Sequence, residues 1–302
     1  MGIVNRVCAG LIGFALLSSA GAEPPSPTLA KLRSSGVITL GYRPASVPFS
    51  FLDARLRPTG YSMELCQRVV ARLRRHAGLE QLETRLLAVS SGTRLPLVAN
   101  GSVDIECGIT TNTVERQKSV AFSVTTFVAQ SRLLSKRSQA VDSLEALRGQ
   151  AIASTIGTTS IALLQELNSR QRLELRIIAG LDDVDSFRLL NSDQARAFAM
   201  DDVLLYGLLA SEPRAADFQV SQLALSVEPY ALMLPPDPAF KRLVDDALRE
   251  LFASGEILAI YRRWFESPLA DKGGVNLRMP MSAALKKAIE RPTDSADPAA
   301  YR

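Results

Sequence analysis

Apolar and polar positions along this chain alternate between two periods, and the alternation predicts the architecture. Thr28 caps a short helix, Leu29 to Arg33, and Gly36-Val37-Ile38-Thr39-Leu40-Gly41-Tyr42 then reads as a strand ending at Arg43. A Pro/Ser loop through Phe49 and Phe51 leads to Gly60-Tyr61-Ser62. These open an amphipathic helix, Met63 to Arg74, with Leu65, Val69 and Leu73 on one face. Thr84 to Val89 is the next strand, Ser90-Ser91-Gly92-Thr93-Arg94 opens a short helix, and Ser102 to Glu106 alternates as a third strand. The order β-α-β-α-β implies a parallel sheet with right-handed crossovers.

The pattern then restarts. Ser131 to Leu134 reads as a strand leaving the first unit, Ser143 to Leu147 as a short helix, and Gln150 to Ala153 as a strand running into Thr155-Ile156-Gly157-Thr158-Thr159-Ser160. That segment opens the helix Ile161 to Leu167. Leu175 to Ile178 is a strand, Val184 to Leu190 a helix, and Ala195 to Met200 a strand ending at Asp201-Asp202. Tyr230 to Leu234 reads as a strand returning to the first unit, followed by amphipathic helices at Phe240 to Ser254 and Glu256 to Phe265. The expectation is therefore an α/β chain of two lobes with two connections. Lobe one is 28–131 with 231–270, lobe two is 132–230, and 271–302 is a loosely attached tail. A cleft between such lobes is lined by the carboxyl ends of the strands.

At one such end lies Cys107-Gly108-Ile109-Thr110-Thr111-Asn112-Thr113-Val114-Glu115-Arg116-Gln117-Lys118. A glycine turn and hydroxyl residues run up to an arginine, where Thr or Asn can cap a short helix. Free N–H groups, hydroxyls and a guanidinium converging there describe a carboxylate receptor. The same residues also suit a capped surface helix whose arginine faces water.

Composition narrows the class. Residues 1–22 carry Arg6, an apolar run from Val7 to Leu17 and Ala20-Gly21-Ala22, which together read as a cleaved export signal. Its removal takes one cation and no anion, so the net charge falls from +4 to +3. With no dense Lys/Arg run and few aromatics, nucleic acid is not an expected partner. Cys66 and Cys107 remain. An oxidising compartment permits a bridge, and two buried free thiols fit the sequence equally well.

The chain resembles the periplasmic amino-acid-binding proteins of ABC importers, in particular the glutamate/aspartate-binding branch. The resemblance is carried by Thr28 to Leu32, Gly36-Val37-Ile38, Arg43 with Ser46 to Ser50, Gly60-Tyr61-Ser62 and Arg94 to Leu97. It continues through Glu106-Cys107-Gly108, Thr110 to Gln117, Gly157 to Ser160, Asp185 to Arg188 and Met200-Asp201-Asp202. It implies the periplasmic-binding-protein type II fold, two lobes on a two-strand hinge closing on one amino acid, and delivery to a membrane permease by a monomer. By the same resemblance Arg116, Thr111 and Thr159 hold the ligand's α-carboxylate. Asp201 and the Ile109 carbonyl take its ammonium, and Arg43, Arg94 and Ser91 hold a side-chain carboxylate. No cofactor and no metal are implied.

Two departures stand out. Ile109 replaces the family's serine, keeping the carbonyl and losing a hydroxyl. Asp183 stands where relatives carry a histidine that assists the side-chain carboxylate. A carboxylate there repels an acidic ligand unless it is protonated, bridged by Arg43 or Arg94, or turned away. Glutamine or asparagine is therefore the alternative ligand to glutamate or aspartate. A dehydratase of the cyclohexadienyl type is the enzymatic rival, with Asp183 as its one candidate acid or base. The only histidine, His76, lies among arginines at a helix end, and no metal spacing or nucleophile elbow is found.

Overall fold

A computed structural model describes residues 26–76 and 78–301; the expected signal, 1–22, lies outside them. Its first sheet has five strands in the order Glu83–Ala88, Val37–Tyr42, Ile105–Glu106, Met233–Leu234 and Ala121–Phe122. The first three are parallel, with Val37 opposite Glu83 and Leu40 opposite Ile105. Met233–Leu234 runs antiparallel to both of its neighbours. The sheet is thus parallel only in the β-α-β-α-β part read from the sequence.

The second sheet runs Arg176–Gly180, Ala151–Thr155, Ala197–Asp201, Phe127–Lys136 and Phe218–Val220, with Ser226–Tyr230 also paired to Phe127–Lys136. Ala151–Thr155 is parallel to both of its neighbours, whereas Phe127–Lys136 pairs antiparallel with all three of its own. The expected single strand Tyr230 to Leu234 is two strands. Ser226–Tyr230 serves the second sheet and Met233–Leu234 the first, so the chain crosses between sheets at Ala231 and Leu232.

Local chemistry moves some boundaries. The first helix begins at Pro27 with Ser26 as its cap, because Pro27 tolerates the first helical position and the Ser26 hydroxyl accepts from the Leu29 N–H at 3.1 Å. The amphipathic helix Tyr61–His76 buries Leu65, Val69 and Leu73. Beneath the crossing strands lies an aromatic cluster. Phe127 packs on Phe49 at 4.9 Å and on Phe265 at 5.1 Å between ring centroids. The Tyr61 hydroxyl donates to the Thr126 carbonyl at 2.8 Å, fixing the first crossing strand to this cluster.

Cys66 and Cys107 are bridged, with Cα atoms 6.1 Å apart. The bridge anchors the segment Cys107–Lys118 to the buried face of a helix. The tail is docked rather than loosely attached. Its helix Ala283–Glu290 buries Leu285 and Ala288, and Tyr301 packs with Val128 and Val227 of the crossing strands. Thr125 donates its N–H to the Thr293 carbonyl at 2.8 Å and shares a 2.7 Å hydroxyl contact with Tyr301. Apolar packing of Leu285, Met281 and Ile289 and these polar contacts together hold the tail. Among the described residues no helix is long and apolar enough to cross a membrane.

Candidate functional site

Every residue expected at the site follows, or ends, a parallel strand. Arg43 comes directly after Val37–Tyr42, Ser91 and Arg94 after Glu83–Ala88, and Ile109, Thr111 and Arg116 after Ile105–Glu106. From the second sheet, Thr159 follows Ala151–Thr155, Asp183 follows Arg176–Gly180, and Asp201 ends Ala197–Asp201. The carboxyl ends of both sheets therefore bring these residues together.

The two units touch at this place. Gly157 has φ +76, and a Cβ on it would fall 2.8 Å from the Ser91 carbonyl oxygen. Glycine is the residue that permits both the backbone angle and the approach. Arg116 reaches from the first unit to the second: Nη1 donates to the Thr111 carbonyl at 2.9 Å and Nη2 to the Gly157 carbonyl at 3.2 Å. Arg116 itself starts a 3-10 turn, Arg116–Lys118, whose first N–H is received by the Thr113 hydroxyl at 3.2 Å. The expected short helix is only that turn, so the donors here come from side chains rather than a helix terminus.

Arg43 and Arg94 are buried, and the guanidinium atoms Arg43 Nη1 and Arg94 Nε lack a hydrogen-bond partner. The buried Ser91 Oγ is likewise unpartnered. Arg94 Nη1 donates to the Ile109 carbonyl at 3.2 Å. That carbonyl, expected to face the ligand's ammonium, is thus engaged by an arginine. Among the described residues none of Arg43, Arg94 and Arg116 has an ion-pair partner. Burial, and next the charge of Arg116, pull Arg94 down to about 9, while Glu106 partly restores it. A guanidinium held that way carries a desolvation cost that an incoming anion would relieve.

The second unit contributes carboxylates. Asp201 is buried, receives the Tyr230 hydroxyl, and lies 3.5 Å from Ser160 Oγ. Burial and then the Glu228 charge hold it well above the ordinary carboxylate range, and the Tyr230 hydrogen bond only partly offsets this. Thr159 is the first residue of the helix Thr159–Gln171, whose cap is Thr158. Its hydroxyl donates to Glu228 Oε2 at 2.7 Å, so Thr159 is tied to the crossing strand Ser226–Tyr230. Asp183 is buried and accepts from the Thr155 hydroxyl at 2.7 Å. It makes no ion pair with Arg43 or Arg94 among the described residues. Asp183 and Arg43 instead line one cavity of about 460 Å³, with Ser90, Thr93 and Leu181.

Sequence reasoning missed two carboxylates. Glu106 is fully buried, accepts from the Thr110 hydroxyl at 2.7 Å through Oε2, and leaves Oε1 unpartnered. It was read only as the end of the alternating strand Ser102 to Glu106. Glu228 is buried and acts on both Arg116 and Asp201. The signal was present, a glutamate inside Ser226-Val227-Glu228-Pro229-Tyr230, but the strand was read as beginning at Tyr230.

Comparison with known proteins follows the same lines. Residues 38–267 match the bacterial extracellular solute-binding proteins, family 3. The chain is 44% identical over 299 residues to the L-glutamate/L-aspartate-binding protein of Pseudomonas aeruginosa, covering 98% of this chain and 99% of that one. It is 39% identical over 291 residues to the glutamate/aspartate import solute-binding protein of Escherichia coli, covering 94% and 96%. The solved structure of a mutant of ArgBP from T. maritima has a TM-score of 0.69 at 24% identity, covering 79% of this chain and 99% of that one. With a matched span that takes in both sheets and the clustered arginines between them, the chain belongs to the bacterial extracellular solute-binding proteins, family 3.

Proposed function

We propose that this chain is a periplasmic, monomeric solute-binding protein that captures L-glutamate or L-aspartate between two lobes and presents it to an ABC permease. One observation carries the reading. Arg43 and Arg94 are buried side by side with Arg116 in reach, none has an ion-pair partner among the described residues, and unpartnered guanidinium and hydroxyl atoms remain on Arg43, Arg94 and Ser91. Buried cations in that condition call for an anion that supplies more than one acceptor. A ligand with two carboxylates does so. Arg116 with Thr111 and the helix start at Thr159 takes the α-carboxylate, Arg43, Arg94 and Ser91 the side-chain carboxylate, and Asp201 the ammonium.

The lobes in this reading are 28–131 with 231–270, and 132–230, and residues 1–22 are removed on export. Binding is the whole activity, and no step of catalysis is assigned. The relatives named above are binding and import proteins, which supports that choice.

A second reading rests on Asp183, buried beside the Arg43 cavity with no arginine pairing it. A side-chain amide offers both an acceptor for Arg43 and a donor for Asp183, so glutamine or asparagine suits that end. Thermal melting with a panel of amino acids decides. A ligand at 100 times its Kd stabilises by about 2.7 kcal/mol. A shift with glutamate and aspartate supports the first reading, a shift with only the amides supports the second, and no shift with any of the four refutes both.

A further inference from the structure

The arginines explain why an acidic ligand enters, but not why it must be an amino acid. Glutarate carries the same two carboxylates as glutamate and lacks only the ammonium. The feature that bears on this is Glu228. It is 4% exposed, sits on a crossing strand opposite Ala129, and makes no ion pair among the described residues. Its partners are hydroxyls: Thr159 donates to Oε2 at 2.7 Å, and Ser226 donates to Oε1.

Strand register places Glu228 on the same face of the sheet as Asp201, one strand removed. Ser131 lies opposite Asp201 on one side and opposite Ser226 on the other. Ala129 and Ser131 point to the same face, and so do Glu228 and Ser226. Asp201, Ser131 and Glu228 therefore share one face of the sheet, with Ser160 contacting both Ser131, at 3.2 Å, and Asp201. Asp201 also has only hydroxyl partners, Tyr230 and Ser160. Two buried carboxyl groups whose hydrogen bonds come from hydroxyls alone, with Arg116 acting on both while it donates to the Thr111 and Gly157 carbonyls, form a seat that a second cation completes and a neutral or anionic group does not.

We propose that Glu228 is a specificity-determining residue: its buried charge, on one face of the sheet with Asp201, makes the α-ammonium group obligatory and excludes dicarboxylates that lack one. Glu228 acts through its charge and through the Thr159 hydroxyl it holds. The influence of Glu228 on Asp201, where it is the largest charge effect, fits this position. The proposal rests on the binding reading above and adds to it the discriminating residue.

The test compares L-glutamate with glutarate, and L-glutamine with glutaramate, by isothermal titration of the wild-type chain and of Glu228→Gln. Removing the charge weakens the amino acids and strengthens the deamino analogues. The ratio of their affinities is expected to fall about tenfold or more, the scale of one unit charge in a partly buried site. Glu228→Asp keeps the charge and should keep wild-type discrimination. A merely structural role would weaken each ligand and its analogue alike, leaving the ratio unmoved in Glu228→Gln, and that result overturns the proposal. If Glu228→Gln does not fold, Glu228→Ala removes the same charge and decides: the ratio must narrow in it as well, and an unmoved ratio overturns the proposal. A wild-type chain that binds neither amino acid instead overturns the binding reading itself, and the proposal with it.

Discussion

Adding one methyl group at Gly207 should separate closure from folding. Gly207 lies in the helix Asp202–Ala210 of the second unit, where that helix meets the loop of the first unit that carries Val47. A Cβ at this position would fall 2.3 Å from the Val47 carbonyl oxygen and 3.2 Å from its carbonyl carbon. The obstacle is backbone, so no side chain can swing aside. Restoring a carbon–oxygen contact of ~3.3 Å requires the two units to part by about 1 Å. Overpacking of this kind costs ~1–3 kcal/mol, and here the cost falls only on the closed arrangement. If ligand is held by that arrangement, Gly207→Ala weakens L-glutamate binding by about 5- to 150-fold. In an opened protein the same methyl meets nothing and helps the helix by up to ~1 kcal/mol. Ligand-free stability should hold steady or rise while affinity falls. Calorimetric titration and ligand-free melting read the two signs separately. Wild-type affinity in Gly207→Ala would refute the claim that this contact belongs to the ligand-holding state. A matching loss of ligand-free stability would mean that the glycine serves packing and not closure.

Three further outcomes are expected. Arg116→Ala should abolish binding of every amino acid tried, because the α-carboxylate is common to all; titration showing unchanged affinity removes Arg116 from the site. Asp201 is held up by burial and the Glu228 charge, with Tyr230, Asp202 and Asp183 also facing it. It therefore stays protonated at pH values where the unfolded chain has already ionised, so ligand-free stability falls as pH rises above about 4. An ammonium group favours the carboxylate, so binding releases a proton and strengthens with pH until Asp201 ionises without ligand. Titrations in buffers of different ionisation heat would show this release, and its absence contradicts the assignment. Finally, the Cys66–Cys107 bridge spans a sequence separation of 41. Replacing both with alanine should cost about 4 kcal/mol and lower the melting midpoint by roughly 10 °C; an unchanged midpoint would show that the bridge adds nothing.

How much of this was legible depended on range along the chain. The β-α-β units are local patterns, so periodicity placed the strand ends near Arg43 and Arg94, while the roles of those residues, and Asp183 altogether, came from the resemblance to a family. Of the antiparallel additions to the first sheet, Met233–Leu234 was read, though merged with Tyr230 into one strand, whereas Ala121–Phe122 was not, being a two-residue strand with no period to read. Glu106 shows a different limit. Alternation marks which side of a strand a residue faces, but both faces of this strand are covered, so its glutamate is buried. Glu228 failed for a related reason: its strand is defined by pairing with Phe127–Lys136, a partner about one hundred residues away in sequence. Asp183 was left with several ways to be accommodated. Of protonation, a bridge to Arg43 or Arg94, and a turn away from the ligand, the bridge is not formed, and the Thr155 hydroxyl, from the neighbouring strand end, binds Asp183 within its own unit.

The docked tail bears on how such a cleft can move. Its contacts concentrate where the chain crosses between sheets: Thr125 with Thr293 and Tyr301, and Val128 and Val227 with Tyr301. Asn112, next to Thr111, donates to the Asp294 carbonyl at 2.8 Å, and Lys241 pairs with Asp294 at 2.8 Å. The aromatic cluster of Phe49, Tyr61, Phe127, Tyr230 and Phe265 lies at the same crossing. In a rigid rotation, displacement grows with distance from the axis. If the two units turn about the crossing strands, contacts there change little, while those of Gly157 with Ser91 and of Gly207 with Val47 are the ones such a rotation would break. A tail bound at such a pivot would stiffen the axis without opposing the rotation. The free-energy difference between open and closed forms is left to the rim contacts, the Arg116 bridge to Gly157, and the ligand itself.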